Sequence, residues 1–295
     1  MLAPLRACRK DSTLSVISVD VGGTKTLVGL YGDDGTLQRE HSAPTRVGDD
    51  HIATVGQIVS GCLDEWGEVP SVLAAGIPEL VDPAGHVVAH EVLTWARQPH
   101  DVLTRVLVDH GVNDPIVRID SDVRLGALGE ARFGAGIGLS SFLYVSLGTG
   151  LSSTVVIDDR PWQGARGLAI ALGEWSSPDP ALNLERFASG NGMERRFAAQ
   201  TGREVDLREI QRLALEGDAT ALGILDSAGA AIGHALRQMV DVLDPDGIVI
   251  GGGLGTAGTL LDDAMRRTYA EEVALHGGPE LTLAANGPYA GLIGG

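Results

Sequence analysis

A glycine turn held between two apolar strands constrains the fold of this chain more than any other feature. The segment Asp-Val-Gly-Gly-Thr-Lys at 20–25 follows an apolar run at 14–19 and precedes another at 26–31. This order predicts a tight β-hairpin, whereas a dinucleotide-binding fingerprint places its glycines between a strand and a helix. Because Gly22 and Gly23 have no Cβ, a phosphate can approach their backbone N–H groups closely, although an ordinary glycine hairpin explains the pattern equally well.

Three side chains of this turn suit phosphate chemistry. Thr24 adds a hydroxyl donor, and Asp20 can hold a hydrated Mg²⁺. Lys25 is interpreted either as a phosphate contact or as a solvated turn lysine. The turn therefore predicts a phosphate site in which Asp20 is the magnesium ligand.

The same plan returns in the second half of the chain. Gly148, Thr149 and Gly150 separate an apolar run at 142–147 from another at 153–157. A glycine paired with a threonine again suits phosphate oxygens. Two β-rich halves with matching hairpins and flanking helical patterns predict a duplicated α/β fold with a cleft between the halves.

A third glycine cluster follows an apolar strand instead of separating two strands. Gly251, Gly252 and Gly253 come after the run at 248–250 and before a helix predicted from about 256 to 271. Bare backbone at this point could let an adenine ring or a ribose lie against it. The three clusters together predict a nucleotide site more strongly than any one of them alone.

The predicted organisation has a short lead-in and two domains. Residues 1–13 are expected to form a disordered lead-in, since they contain no long apolar run and no clear cleavage site. An N-terminal α/β domain is expected at 14–118 and a larger C-terminal α/β domain at 119–295. The last residues are expected to pack back on the first domain.

Composition excludes several classes of partner. A net charge of −17 and a pI near 4.7 argue against a nucleic-acid backbone or an anionic membrane as the main partner. Cys8 and Cys62 are the only cysteines, so neither a disulfide framework nor a cysteine-rich zinc cluster is expected. No run of 18 apolar residues occurs, and we therefore expect a cytoplasmic protein without a transmembrane helix.

Further short motifs accompany the glycine clusters. They are Gly-Ile-Pro at 76–78, Val-Asp at 81–82, Leu-Gly-Glu at 128–130, Phe-Gly-Ala-Gly at 133–136, Ala-Ser-Gly at 188–190, Asp-Pro-Asp-Gly-Ile-Val-Ile-Gly-Gly-Gly at 244–253 and Ala-Gly-Leu-Ile-Gly at 290–294. Together with the glycine turns and Asp122, they make the chain resemble the ROK family of sugar kinases and repressors. The resemblance covers the chain from about residue 15 and implies a duplicated actin-like ATPase (ribonuclease H-like) fold, with two domains and a central cleft.

The resemblance implies an ATP-dependent phosphotransferase that uses Mg²⁺ and acts on a sugar hydroxyl. The family's catalytic base is the Asp of an Asn-Asp pair at the start of a helix, and that pair corresponds here to Ser121-Asp122. From position alone, a helix N-cap is the favoured interpretation of Asp122, and the resemblance to the family favours the catalytic base instead. Arg124 is interpreted either as a cation for the transferring phosphate or as a surface helix arginine.

The acceptor positions depart from the family's pattern. Glu91 stands in place of a substrate Asn, and Ser121 in place of the Asn beside the catalytic base. Ala171 replaces a sugar-binding Glu, and Glu174 replaces a His, whereas Glu185 matches a family substrate Glu. The resemblance therefore implies Glu91, Ser121, Asp122, Glu174 and Glu185 as substrate-binding residues.

The replaced His also bears on metal binding. In the family it is a zinc ligand together with cysteines just downstream, and the segment 176–183 contains neither Cys nor His. A structural zinc needs about four such ligands, so the site is expected to be lost.

These departures leave the acceptor open. Because Ala171 stands where the family has a Glu, we expect weaker glucose binding. A hydroxyl of the sugar left without a hydrogen-bond partner costs about 1–3 kcal/mol. Glu91 and Glu174 favour a different hydroxyl pattern or a cationic amino group. One branch of the family phosphorylates C7-cyclitols, and that acceptor class fits; an ordinary hexose kinase is the alternative.

Two other functions are weighed against an active kinase. A catalytically silent sugar-binding protein would fit the altered acceptor pocket, but the retention of Asp122 and of all three glycine clusters argues against it. A repressor of this family carries a helix-turn-helix ahead of the kinase-like body, and only about 13 residues precede the first strand here. A homodimer is expected from the habit of the family.

Overall fold

The computed structural model of the protein describes residues 15–274 and 277–295, so the predicted lead-in at 1–13 lies outside the described residues. The strands are β1 (Val16–Val21), β2 (Lys25–Tyr31), β3 (Leu37–Pro44), β4 (Val72–Ile77), β5 (Ile116–Ser121), β6 (Ser141–Leu147), β7 (Leu151–Ile157), β8 (Arg160–Pro161), β9 (Gly247–Gly251) and β10 (Leu281–Leu283). The α-helices are α1 (His51–Trp66), α2 (Pro99–Asp109), α3 (Asp122–Phe133), α4 (Leu184–Ala188), α5 (Gly190–Thr201), α6 (Leu207–Leu215), α7 (Ala219–Leu243), α8 (Gly252–Gly255), α9 (Leu260–Val273) and α10 (Ala290–Gly294). Short 3₁₀ helices cover Leu172–Glu174 and Gly287–Tyr289.

Two five-stranded sheets repeat one topology. The first sheet has the order β3-β2-β1-β4-β5, and the second, read in the same direction, has the order β8-β7-β6-β9-β10. In each sheet the first three strands pair antiparallel and the last two join in parallel. The predicted duplication of an α/β unit, each with a glycine hairpin at its start, is therefore confirmed.

Each sheet has its own hydrophobic core. Strands β1, β4 and β5 pack against α1 and α2 around fully buried residues such as Ile17, Leu73 and Leu103. Strands β6 and β9 pack against α4 to α7 and α9 around residues such as Phe197 and Ile232. The predicted division at 118/119 falls three residues before the end of β5 and remains a prediction.

Helix α7 is the centre of the second core. By length and composition it is able to cross a membrane, but 56% of its most apolar window is buried among the neighbouring elements. That burial is expected of a core helix, because a helix apolar on most of its surface needs partners on most sides.

Helices α3 and α10 cross between the two sheets at glycines. A Cβ at Gly129 would lie 2.5 Å from the Ala290 carbonyl oxygen, and a Cβ at Gly294 would overlap the carbonyl oxygen of Leu125. A Cβ at Gly295 would likewise overlap the Ser18 hydroxyl of β1. The last residues of the chain therefore lie against the first sheet, and the glycines of two motifs are explained by close helix packing.

Candidate functional site

The first glycine turn leaves two backbone amides free. The turn between β1 and β2 is closed by the Gly22 N–H, which donates to the Lys25 carbonyl oxygen at 2.9 Å. Within residues 15–274 and 277–295, the N–H groups of Gly23 and Thr24 find no hydrogen-bond acceptor. Thr24 and Lys25 are exposed, so the turn presents free donors at the surface of the sheet edge.

The second turn repeats this arrangement and is held by a helix. The Gly148 N–H donates to Gly150 O at 2.9 Å, while Gly190 and Asn191 of α5 donate to the carbonyls of Gly148 and Thr149 at 2.9 and 3.1 Å. The N–H groups of Thr149 and Gly150 have no acceptor in the described part of the chain. Since the carbonyls are bound by the helix, the amides are the groups left for a ligand.

The third glycine cluster packs directly on the second turn. Gly252 has a φ of 79°, and a Cβ there would overlap the carbonyl oxygen of Leu147, the residue before the second turn. Gly253 faces open space, as does Gly148. Only glycine fits at Gly252 without strain, and the structure brings the second and third predicted clusters into one place.

Two carboxylates lie at the carboxyl ends of the parallel strands of the first sheet. Burial raises the pKa of Asp20, in β1, to about 6, and the charge of Lys25 partly offsets this. Burial, followed by the negative charge of Asp20, raises the pKa of Asp122 to about 7. The two predicted acids are thus brought together, and the charge of Asp20 makes ionisation of Asp122 harder.

Helix α3 begins where it does because of Ser121 and Gly76. The Ser121 hydroxyl accepts a hydrogen bond from Arg124 N at 3.4 Å and caps the helix, with only 5% of the residue exposed. A Cβ at Gly76 would lie 3.2 Å from the Asp122 Cα. The interpretation of Asp122 as the N-cap is therefore wrong, and the Asp122 carboxylate accepts a local bond only from Val123 N, at 2.7 Å.

Glu79 shapes the loop that carries Glu91. Its carboxylate, 7% exposed, accepts from the backbone N–H groups of Glu91, Val92 and Leu93 at 2.9, 3.0 and 2.8 Å, and from Trp95 Nε1 at 3.1 Å. Four donors on one buried carboxylate fix the loop conformation and compensate the burial of its charge. Sequence reasoning missed Glu79; a glutamate directly after Gly-Ile-Pro and ahead of an irregular acidic loop was the available signal.

Glu174 and Glu185 lie on the side of the second sheet. The exposed Glu174 accepts from Asn183 Nδ2 at 3.2 Å, and Glu185 accepts from Leu151 N at 3.3 Å. Burial raises the pKa of Glu185, and the negative charges of Glu174 and Glu91 raise it further. The predicted acceptor glutamates therefore share one region, with Glu185 lying against the second glycine turn.

Arg124 is buried, so its interpretation as a surface helix arginine is wrong. It is 3% exposed and donates to Asp120 Oδ1 at 2.5 Å, to Gly167 O at 3.0 Å and to Val81 O at 2.7 Å. The guanidinium thereby joins β5, the segment after β4 and the loop at 164–171. It therefore links segments of the two β-rich halves of the chain.

The residues present suit a nucleotide with Mg²⁺. Free turn amides and open space at Gly148 and Gly253 suit phosphates and a nucleoside, and Asp20 offers a carboxylate of the kind Mg²⁺ takes alongside water and phosphate oxygens. Among the described residues, no three His, Cys, Asp or Glu side chains form a group able to hold a metal ion by themselves. A magnesium ion here would therefore need the nucleotide, and the expected loss of the zinc site remains a prediction.

Charge also links the edges of the two sheets. The hydroxyl of Tyr144, in β6, packs so closely on Gly251 that a Cβ there would overlap it. Burial raises the pKa of this phenol, and the charges of Glu130, Asp122 and Asp20 raise it further. The acids of the first sheet thus lie near the third glycine cluster of the second.

Known proteins are similar to this chain in sequence and in fold. The sequence model of the ROK family matches residues 16–295. The bifunctional enzyme NanE/NanK of Brucella melitensis biotype 1 is 30% identical over 282 residues, covering 95% of this chain and 52% of that enzyme. The chain thus spans about half the length of the first curated relatives it matches.

Two solved structures are similar over most of the chain. The ROK hexokinase from Thermus thermophilus is 27% identical with a TM-score of 0.79, covering 95% of this chain and 96% of that one. A ROK family glucokinase from Streptomyces griseus in complex with glucose and AMPPNP is 24% identical with a TM-score of 0.77, covering 95% and 97%, and is evidence of fold alone. The predicted fold class, a duplicated actin-like ATPase fold, is confirmed.

Proposed function

The chain belongs to the ROK family, and we propose that it is an ATP-dependent kinase that phosphorylates a hydroxyl of a sugar or a sugar-like cyclitol. The observation that carries this proposal is the pairing of Asp122 and Asp20 at one sheet edge, with the pKa of Asp122 raised to about 7. A base performs best when its pKa lies near the working pH. The similar structure from Thermus thermophilus is named a hexokinase and supports the same reaction class.

Each residue has a proposed role in the transfer. Asp122 takes the proton of the acceptor hydroxyl as its oxygen bonds to the γ-phosphorus, while the bond from that phosphorus to the leaving ADP oxygen breaks. The free amides at 23–24 and 149–150 hold phosphate oxygens, and the glycines at 251–253 lie against the nucleoside. Asp20 holds Mg²⁺, which when bound neutralises phosphate charge.

The acceptor is proposed to differ from unmodified glucose. Glu91, Glu174 and Glu185 act on one another through their charges, and Ala171 offers no polar side chain where a reader of hydroxyls is expected. Three neighbouring carboxylates favour a cyclitol with many hydroxyl donors or an acceptor that carries an amino group. A homodimer in the cytoplasm, without nucleic-acid or membrane partners, is proposed with it.

An ordinary hexose kinase is the second candidate. It is favoured by the similarity to a Thermus thermophilus ROK hexokinase and to the Streptomyces griseus glucokinase solved with glucose and AMPPNP. A silent sugar-binding protein is disfavoured because Ser121 provides the helix cap and leaves the Asp122 carboxylate available for chemistry.

One experiment tests both the activity and the acceptor. ADP release is measured with glucose, N-acetylmannosamine, amino sugars and cyclitols, for the wild type, Asp122→Asn and the exposed control Asp33→Asn, which makes the same charge change. We expect Asp122→Asn to lose about 10²–10⁴-fold in kcat with its ATP affinity retained, and Asp33→Asn to match the wild type. Unchanged turnover by Asp122→Asn contradicts its role as base, and efficient glucose turnover contradicts the altered acceptor.

A further inference from the structure

Arg46 connects the first glycine turn to the acceptor loop. Its Nε donates to Gly23 O at 2.6 Å, and its Nη2 donates to Val92 O at 2.8 Å. Gly23 belongs to the turn with free amides, and Val92 follows Glu91 in the loop bound by Glu79. The guanidinium therefore lies between the proposed phosphate donor and the proposed acceptor.

The backbone that carries Arg46 is fixed to the same hairpin. Thr45 N donates to Thr24 O at 2.9 Å, and the buried Thr45 and Thr26 hydroxyls are hydrogen-bonded to each other at 2.9 Å. These bonds place Arg46 directly beside the turn before any ligand arrives. A group positioned in this way loses little side-chain freedom on binding.

Much of the hydrogen-bonding capacity of Arg46 remains unused. A guanidinium has five N–H donors, and in the described part of the chain Nη1 of Arg46 donates to no acceptor. Across residues 15–274 and 277–295, no carboxylate lies within ion-pair distance of Arg46, although the chain has a net charge of −17. An exposed arginine without an acidic partner, in so acidic a chain, is suited to an anionic ligand.

We propose that Arg46 is a catalytic residue whose Nη1 donates to an oxygen of the transferring γ-phosphoryl group, a role that rests on the proposed kinase function. Asp20 and Asp122 repel that group when they are ionised, and a cation beside the group offsets this repulsion. The transferring phosphoryl spreads negative charge over three oxygens, which a planar guanidinium can follow as the group moves from ADP to the acceptor oxygen. The two carbonyl bonds hold the guanidinium between the turn and the loop and leave Nη1 available for the phosphoryl oxygen.

The test compares nucleotides that differ in the γ-phosphate. Affinities for AMPPNP and ADP are measured without acceptor for the wild type, Arg46→Ala and Arg46→Lys, with Arg39→Ala as a control of equal charge change at the far end of β3. For Arg46→Ala we expect a loss of about 10- to 100-fold for AMPPNP, the value of a charged hydrogen bond, and little change for ADP. Arg46→Lys should recover part of that loss, and Arg39→Ala should match the wild type.

Other outcomes overturn the proposal. Equal losses for both nucleotides, or a higher acceptor KM with both nucleotide affinities unchanged, would make Arg46 only a link between the turn and the loop. Melting temperatures should change little, because both hydrogen bonds of Arg46 are exposed to solvent. If the wild type binds AMPPNP but phosphorylates no acceptor, the kinase function fails while the comparison of nucleotides still decides the γ-phosphate contact.

Discussion

Asp20 and Ser146 occupy equivalent positions in the two sheets. Each lies one residue before the end of the strand that enters a glycine turn. The parallel neighbour of Asp20 is Gly76 in β4, and the parallel neighbour of Ser146 is Gly251 in β9. The backbone pairing of the two sheets therefore matches residue by residue at this point, while the side chains at the equivalent positions differ.

That difference separates two tasks. In the first sheet, Gly76 makes room for the start of α3, so a second carboxylate, Asp122, reaches Asp20. In the second sheet, Gly251 makes room for the neutral Tyr144 hydroxyl. In the proposed function, the first sheet concentrates negative charge for proton transfer and metal binding. The second sheet offers backbone without side chains for a nucleotide.

The largest expected effect comes from making the first copy resemble the second. We expect Asp20→Ser to lose at least about 10²-fold in turnover, because the electrostatic support of the transferring phosphate goes with the carboxylate. The measurement is kcat as a function of Mg²⁺ concentration. Ser146→Ala, the equivalent change in the second sheet, should cost far less.

Two results would break this comparison. Wild-type turnover by Asp20→Ser at every Mg²⁺ concentration would remove Asp20 from the metal site. A comparable loss in Ser146→Ala would mean that both sheet edges take part in the chemistry.

The second prediction concerns how the nucleotide side is built. Gly252→Ala places a Cβ onto the Leu147 carbonyl at a φ of 79°, so we expect a loss of about 3 kcal/mol in the free energy of unfolding. The matched change Gly253→Ala faces open space and should leave that free energy nearly unchanged while lowering nucleotide affinity. Urea unfolding and ADP binding measure the two effects, and equal destabilisation by both variants would contradict the packing argument.

The glycine turns could be predicted from sequence because their information is local. Each turn and its two strands lie within about 20 residues, and alternating apolar runs around glycines leave few other structures. The start of a helix at Ser121-Asp122 was implied by the resemblance to the family. The alternative interpretation of Asp122 as the N-cap was wrong, since Ser121 and Asp122 suit an N-cap equally well by residue type.

The contacts that complete the site depend on distant segments. Arg124 is buried by carbonyls from Val81 and Gly167, each 43 residues away, and helix periodicity carries no information about either. Glu79 binds a loop without regular structure, where no periodicity indicates which amides need an acceptor. The Arg46 bonds to Gly23 and Val92 were missed for the same reason.

The smallest expected effect is the pH dependence of stability. It distinguishes the pair of Asp20 and Asp122 from the uncharged Ser146 at the equivalent position of the second sheet. The pKa of Asp122 is raised from 3.8 to about 7 in the folded protein, so the folded state holds this proton more tightly than the unfolded chain. The contribution of protonated Asp122 to the free energy of unfolding is therefore fully present below about pH 4 and is lost as the pH rises through 7. Asp122→Asn removes this loss.

We expect Asp122→Asn to gain about 1–2 kcal/mol in unfolding free energy relative to the wild type between pH 4.5 and 8, less than the full shift because solvent still reaches the site. Urea unfolding at several pH values without nucleotide measures it. Asp20→Ser should show a smaller gain, completed at lower pH, because its pKa is raised only to about 6. Ser146→Ala has no charge to titrate and should run parallel to the wild type. A pH-independent difference for Asp122→Asn would mean that Asp122 does not bind a proton near pH 7, and the acid pair would then not distinguish the two copies.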